Sequence, residues 1–175
     1  MAERRRDAEF TEYVRTRSVW LRKVAYLLCG DWHRADDLVQ SAVTKLYVHW
    51  ARAGGVANID GYARTVLVNT FLAEQRTSWI RRVLLGSATE EAVAASTDVD
   101  GSLDLRAALA ALPPRQRATV VLRYYCDLSV EQTAAVLDCS PGNVKSQTSR
   151  GLDALRRLLL DAGPLSAAAP EGAQP

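Results

Sequence analysis

Residues Leu128–Leu158 read LSVEQTAAVLDCSPGNVKSQTSRGLDALRRL, two helices joined by a tight turn. Ser129 followed three residues later by Gln132 fits a capping box at the start of the first helix. Leu137-Asp138-Cys139 forms the turn. Ser140 caps the second helix, and Pro141 takes its first position, where a missing N–H costs nothing. Val144, Leu152, Leu155 and Leu159 make the core stripe of that second helix. Its early polar residues, Asn143, Lys145, Ser146, Gln147, Ser149 and Arg150, are therefore not needed to fill a core.

Those residue types suit nucleic acid. The major groove of B-DNA admits one α-helix, presented N-terminus first in a helix-turn-helix. Asn143, Lys145 and Arg150 can donate to bases or phosphates. Ser146 and Ser149 are small enough for close approach, and Gln147 suits adenine or water. The free amides at the Ser140 end can hold a phosphate. A lone helix of this composition would read as an ordinary solvated amphipathic face. The capped helix and turn directly upstream make it a DNA reader.

Working outward, the second half opens with a short amphipathic helix, Leu103–Ala111, broken at Pro113-Pro114. A helix over Arg115–Tyr125 follows, burying Val120, Val121, Leu122 and Tyr124 or Tyr125. Upstream lies GSATEEAVAASTDVDG (86–101), which holds Glu90, Glu91, Asp98 and Asp100 and no Lys or Arg. Its small, polar, acidic composition predicts a flexible linker. Before it, three long helices are expected. The first, Ala8–Cys29, aligns Phe10, Tyr13, Val14, Trp20, Leu21, Val24 and Leu28 and ends at Gly30. The second, Trp32–Trp50, carries Asp36 and Asp37 in its first turn, where the helix dipole favours anions. The third starts near Asp60 as N-cap and runs to about Leu85. The expectation is an all-α chain of two small helical domains, 1–85 and 102–162, joined by the acidic linker at 86–101. A disordered tail is expected over 163–175.

Composition bounds the rest. The chain has 175 residues, 48% of them hydrophobic, and a formal net charge of +2. So small a charge asks for locally concentrated cations or a larger partner that supplies DNA affinity. No apolar run reaches the ~18–20 residues of a membrane span, and MAERRRDAEF has no signal-type apolar core. A cytoplasmic protein without membrane association is expected. Cys29, Cys126 and Cys139 show no metal or redox spacing and read as buried thiols. His33 and His49, both on one helix, make no zinc or catalytic pattern, and no phosphate-binding loop is present. No enzyme, metal or cofactor is expected.

At this point LPPRQRATVVLRYYCDLSVEQTAAVLDCSPGNVKSQTSRGLDALRRLL resembles region 4 of bacterial sigma-70-family factors, of the small extracytoplasmic-function (group IV) type. DWHRADDLVQSAVTKLYVHW resembles region 2.2 of that class, and NIDGYARTVLVNTFLAEQR its regions 2.3 and 2.4. The SVEQTAAVL style points to the actinobacterial branch. Departures are visible: Tyr62-Ala63 stands where Trp-Leu is common, Val68 where Arg is common, Ala73 where Asp is common, and Gly151 where Ala is common. Region 2 is thus a variant, and the family's promoter preference does not carry over.

The resemblance implies a sigma region 2-like bundle and a sigma region 4-like helix-turn-helix domain. It implies a sigma factor that brings core RNA polymerase to promoters and helps strand opening. Asp36, Asp37, Leu38, Gln40 and Ser41 would dock on the beta-prime coiled-coil, although the two acids can equally serve only as capping charge. The beta flap would be a second polymerase contact. Asn58, Asp60, Arg64, Asn69 and Arg76 would meet the −10 element, or line a solvated helix face. Tyr62, Phe71 and Trp79 are aromatic neighbours, the first two reading as core; in the family a loop, here near Ala51–Asp60, holds a flipped base. Asn143, Lys145, Ser146, Gln147, Ser149 and Arg150 would read the −35 element. An anti-sigma factor is a further partner the resemblance implies, and no residue argues for or against it. The alternative reading is a stand-alone helix-turn-helix regulator.

Two elements about 17 base pairs apart, at about 3.4 Å per pair, lie roughly 55–60 Å apart. A linker of about 16–20 extended residues reaches at most about 55–70 Å, which just bridges that span. Two modest sites on such a tether gain through effective concentration.

Overall fold

In the computed structural model, residues 2–53, 58–85 and 101–161 are described. They form seven helices and, among the described residues, no strand: α1 (Ala2–Cys29), α2 (Trp32–Ala53), α3 (Ile59–Leu85), α4 (Gly101–Ala111), α5 (Pro114–Val120), α6 (Val130–Leu137) and α7 (Pro141–Asp161). The all-α expectation holds. The expected linker, apart from Gly101 at the start of α4, and the expected tail fall outside the described residues.

Periodic apolar faces explain the first half. Leu21, Val24, Ala25 and Leu28 of α1 meet Leu38, Ala42 and Leu46 of α2 and Leu67 and Phe71 of α3, all buried. The more N-terminal part of α1 is held by aromatic contacts. Phe10 lies with its ring centroid 5.0 Å from both Tyr47 and Trp50, and Tyr13 is 5.3 Å from Trp50. Gly30 ends α1 as read from the sequence. It sits at φ +73°, where an L side chain is strained, and its N–H donates to Tyr26 O at 2.7 Å. A side chain there would also press on Ala110 of α4.

Several local expectations are corrected. Asn58, not Asp60, caps α3: its Oδ1 accepts from the Gly61 N–H at 2.8 Å. Asp31 caps α2, accepting from the Arg34 N–H at 2.9 Å, and Asp36 and Asp37 lie beyond the first turn. The helix expected over Arg115–Tyr125 begins at Pro114 and widens over Val121–Tyr125 into a π turn, in which the Cys126 N–H reaches Val121 O at 3.0 Å. Neither Tyr124 nor Tyr125 is buried, at 59% and 45% exposure.

The halves do not stand apart. One buried cluster runs from α1, α2 and α3 into Ala118, Val121, Leu122, Leu128, Val136 and Leu137 of the second half. Val68 is fully buried in it, which gives a physical reason for valine where a charged arginine is common. A smaller cluster joins Ala108, Leu109, Leu112, Val120 and Leu155, with Leu27 of α1 packed against it. Arg117 of α5 fastens the junction. Its guanidinium donates to Leu28 O at 2.6 Å across the halves, and to Leu112 O at 2.9 Å and Ala110 O within its own half. Burial lowers the Arg117 pKa to about 10, which still leaves it charged at neutral pH.

Candidate nucleic-acid interface

The helix-turn-helix forms as its sequence dictates. Ser129 and Gln132 close a reciprocal capping box at 3.0 and 2.8 Å. Asp138 turns the chain in the left-handed region at φ 48°, and the Cys139 N–H donates to Ala134 O at 3.1 Å. Arg115 secures the turn by donating to Leu137 O at 2.9 Å. Ser140 Oγ then accepts from the Asn143 N–H at 3.1 Å and starts α7. Val144 and Leu155 are buried, while Leu152 and Leu159 are half-buried. Gly151 is explained by contact: a Cβ there would meet Val120 Cγ2 at 2.8 Å, so α7 approaches α5 closer than alanine allows. Asn143, Lys145, Ser146, Ser149 and Arg150 are exposed together on this helix, and Gln147 is half-buried toward the core side.

The residues assigned to the −10 element divide. Asn58 is occupied in capping. Asp60 accepts a hydrogen bond from the Tyr13 hydroxyl at 3.1 Å and an ion pair from Arg17 at 2.6 Å. The Tyr13 hydroxyl is pushed far up by burial, then by Asp60, so it stays a donor. Arg64 lies with its guanidinium 5.4 Å from the Trp20 ring centroid, and its Nε is buried without a partner among the described residues. Arg17, Trp20, Asp60 and Arg64 line one cleft with Tyr125 and Cys126 of the second half. Asn69 and Arg76 are exposed. At about 100° per residue, Asn69 points about 140° away from Arg64. The structure therefore turns Asp60 and Arg64 toward the second half and leaves Asn69 and Arg76 on a free face.

The residues assigned to polymerase docking also separate. Leu38 is 1% exposed and belongs to the core, so it is corrected from a contact to a support. Asp37 and Gln40 are exposed and Ser41 is half-buried. Asp36 is held by Arg22 through two bonds, 2.5 and 3.0 Å, and that guanidinium keeps its carboxyl below the usual range. Arg22 lies 4.6 Å from the Trp32 ring centroid, and Trp32 stacks on Tyr26 at 3.9 Å and 16°. Arg106 of α4 completes the column, 5.4 Å from the Tyr26 ring centroid. Sequence reading missed this column and Arg17, and placed Trp20 only on the apolar face of the first helix, because the partners come from separate helices.

Phe71 is fully buried and Tyr62 half-buried, as read, while Trp79 is 60% exposed. Cys29 is buried and its pKa is pushed up to about 11 by that burial; Cys126 is raised for the same reason. Both are thiols at neutral pH.

Comparison with known proteins agrees along the chain. Residues 13–83 match the family model Sigma-70 region 2, and residues 102–155 match Sigma-70, region 4. The RNA polymerase sigma-E factor of Streptomyces avermitilis is 40% identical over 86% of this chain and 85% of its own length. That of Streptomyces coelicolor is 38% identical over 87% and 86%. Among solved structures, the sigma factor RpoE in complex with the anti-sigma factor NepR from Bartonella quintana matches with a TM-score of 0.72 and 26% identity, over 87% of this chain and 97% of that one. A stand-alone regulator would not carry both matched regions in this order. The chain belongs to the sigma-70 family as an RNA polymerase sigma factor of the extracytoplasmic-function class, acting in transcription initiation.

Proposed function

We propose that α7 reads the −35 element through Asn143, Lys145, Ser146, Gln147, Ser149 and Arg150, and that α3 engages the −10 element through Asn69 and Arg76 first. The observation that carries this is the exposed polar run on a capped α7 within the region 4 match. Asp60 and Arg64 join the −10 contact only after the second half moves off them, since Tyr125 and Cys126 share their cleft. Asn58 remains the cap. Asp37, Gln40, Ser41 and, once released from Arg22, Asp36 dock on the beta-prime coiled-coil, and the second half meets the beta flap. The protein works in the cytoplasm, where the polymerase is; no helix among the described residues is long and apolar enough to cross a membrane.

Physical size supports separation of the halves. A globule of roughly 140 residues is about 35–40 Å across. Elements roughly 55–60 Å apart are out of its reach. The packed form is then a resting form, and the halves part on the polymerase. A partner like the anti-sigma factor bound to the Bartonella protein would hold the packed form.

The test is in-vitro transcription with core polymerase on genomic DNA, mapping start sites for the wild type and for Arg150→Ala and Asn69→Ala. New starts that vanish with either substitution support the residue roles. Unchanged starts in both variants count against them.

A further inference from the structure

We infer that Arg22 is an internal competitor of the polymerase for Asp36, so that the chain tempers its own docking face. This rests on the docking reading above, in which Asp36 meets the beta-prime coiled-coil. Arg22 lies on α1 and Asp36 on α2, and the turn at Gly30 between the two helices brings them together. Arg22 Nε and Nη2 donate one to each carboxylate oxygen of Asp36, at 2.5 and 3.0 Å. A planar guanidinium fork of this kind occupies the edge of a carboxylate. A polymerase cation that uses both oxygens must displace Arg22 first. Neighbouring Asp37 is exposed and makes no ion pair among the described residues, so it can engage at once. The docking face therefore carries one acid that is ready and one that is held.

The aromatic column keeps the competitor in place. The Arg22 guanidinium lies 4.6 Å from the Trp32 ring centroid, and Trp32 is itself stacked on Tyr26 at 3.9 Å and 16°. A surface arginine normally samples many rotamers, and holding it in one costs entropy. Here the ring contact restrains the side chain in addition to the carboxylate, and a cation over indole is attracted to it. Arg106 of α4 also lies on Tyr26, at 5.4 Å from the ring centroid. The arginine on Asp36 is thus steadied by a stack that includes a residue of the second half.

The pair is nonetheless weak enough to yield. Its side chains are 48% and 44% exposed. Water and salt screen so open a pair, and its worth is small. Exchanging the internal guanidinium for a cation of the polymerase lowers docking affinity by a modest factor and does not prevent docking. Arg22 is therefore a positioning residue that acts through Asp36, setting how strongly the second acid contributes.

The experiment titrates the full chain with core polymerase over a salt series, following fluorescence anisotropy of the labelled chain. Arg22→Ala should bind core about twofold to fivefold tighter at low salt. That gain should fade as salt rises, because a freed surface carboxylate is screened. Arg22→Lys keeps the charge, loses the fork and should fall between. Asp36→Asn should bind more weakly than the wild type, and adding Arg22→Ala to it should change little further. The exposed pair makes unchanged helical circular dichroism the expected control for every variant. If Arg22→Ala bound no tighter while Asp36→Asn bound more weakly, the competitor role would be overturned and the docking reading would stand. A gain that persisted in the Asp36→Asn background would also overturn it, since Arg22 would then act elsewhere. Wild-type affinity in Asp36→Asn would instead sink the docking reading of Asp36, and the competitor role with it.

Discussion

The first turns of α7 and the first turns of α3 carry similar polar residues, yet they are presented oppositely. On α7 the side chains of Asn143, Lys145, Ser146, Ser149 and Arg150 are exposed to solvent. On α3, Asp60 and Arg64 face a cleft shared with Tyr125 and Cys126 of the other half, and Asp60 is already engaged by Tyr13 and Arg17. One reader is displayed and the other is guarded. In the roles proposed above, duplex recognition by α7 would need no rearrangement, whereas Asp60 and Arg64 would first have to be uncovered.

The largest expected effect comes from removing the fastener. Arg117→Ala deletes hydrogen bonds to Leu28 O, Ala110 O and Leu112 O. With charged hydrogen bonds worth about 1.5–3 kcal/mol each, the loss should be at least about 2–4 kcal/mol. Small-angle scattering should show a larger, two-lobed particle, and Cys126 should become alkylated faster. If the particle stayed compact with unchanged thiol reactivity, the guard would not depend on this residue.

Arg150→Ala should act on the displayed reader only. A good base contact is worth about 1–3 kcal/mol of discrimination, so promoter preference should fall by about fivefold to a hundredfold in the holoenzyme. Its scattering profile should match the wild type. The same loss seen with free protein on duplex DNA at high affinity would count against two modest sites acting together on one tether.

A smaller effect is expected where α7 meets α5. Gly151→Ala brings a methyl group to 2.8 Å from Val120 Cγ2. Overpacking typically costs about 1–3 kcal/mol, and alanine returns about 1 kcal/mol of helix propensity. A lowered Tm that is recovered by adding Val120→Ala would establish the contact. No recovery would place the cost elsewhere.

Smallest is Arg106→Ala. Its cation–π contact on Tyr26 is worth about 0.5–1 kcal/mol at an exposed site. Thermal stability should barely move, but core polymerase should separate the halves more easily, as energy transfer between labels on α2 and α7 would report. A separation equilibrium identical to the wild type would show the column to be incidental.

The sequence made α7 legible because its signals are local. Ser129 with Gln132, Ser140 with Pro141, and the Val144 stripe are each set by near neighbours, and each formed as read. The guarded cleft was illegible for the converse reason. The reading of the third helix took Tyr62 and Phe71 as core and did not place Val68, which is buried in the cluster shared with the second half. Arg117 binds backbone carbonyls, which leave no mark on residue identity. The misassignment of Leu38 followed from carrying a motif over as a block, when its helix period already places leucine on the Ala35–Ala42 face. The five residues assigned to the −10 element were likewise grouped by nearness in sequence, although helix geometry sends Asn69 and Arg64 to different sides.

The seam between the halves is mostly hydrocarbon, with Leu27, Val68, Val121, Leu137 and their neighbours closing over one another. Parting them hydrates that surface, and the transition therefore has a positive heat capacity. Apolar association of this kind loosens as temperature falls. The seam is thus a thermally graded lock, gripping hardest in warmth and easing in the cold, before any polymerase has touched it.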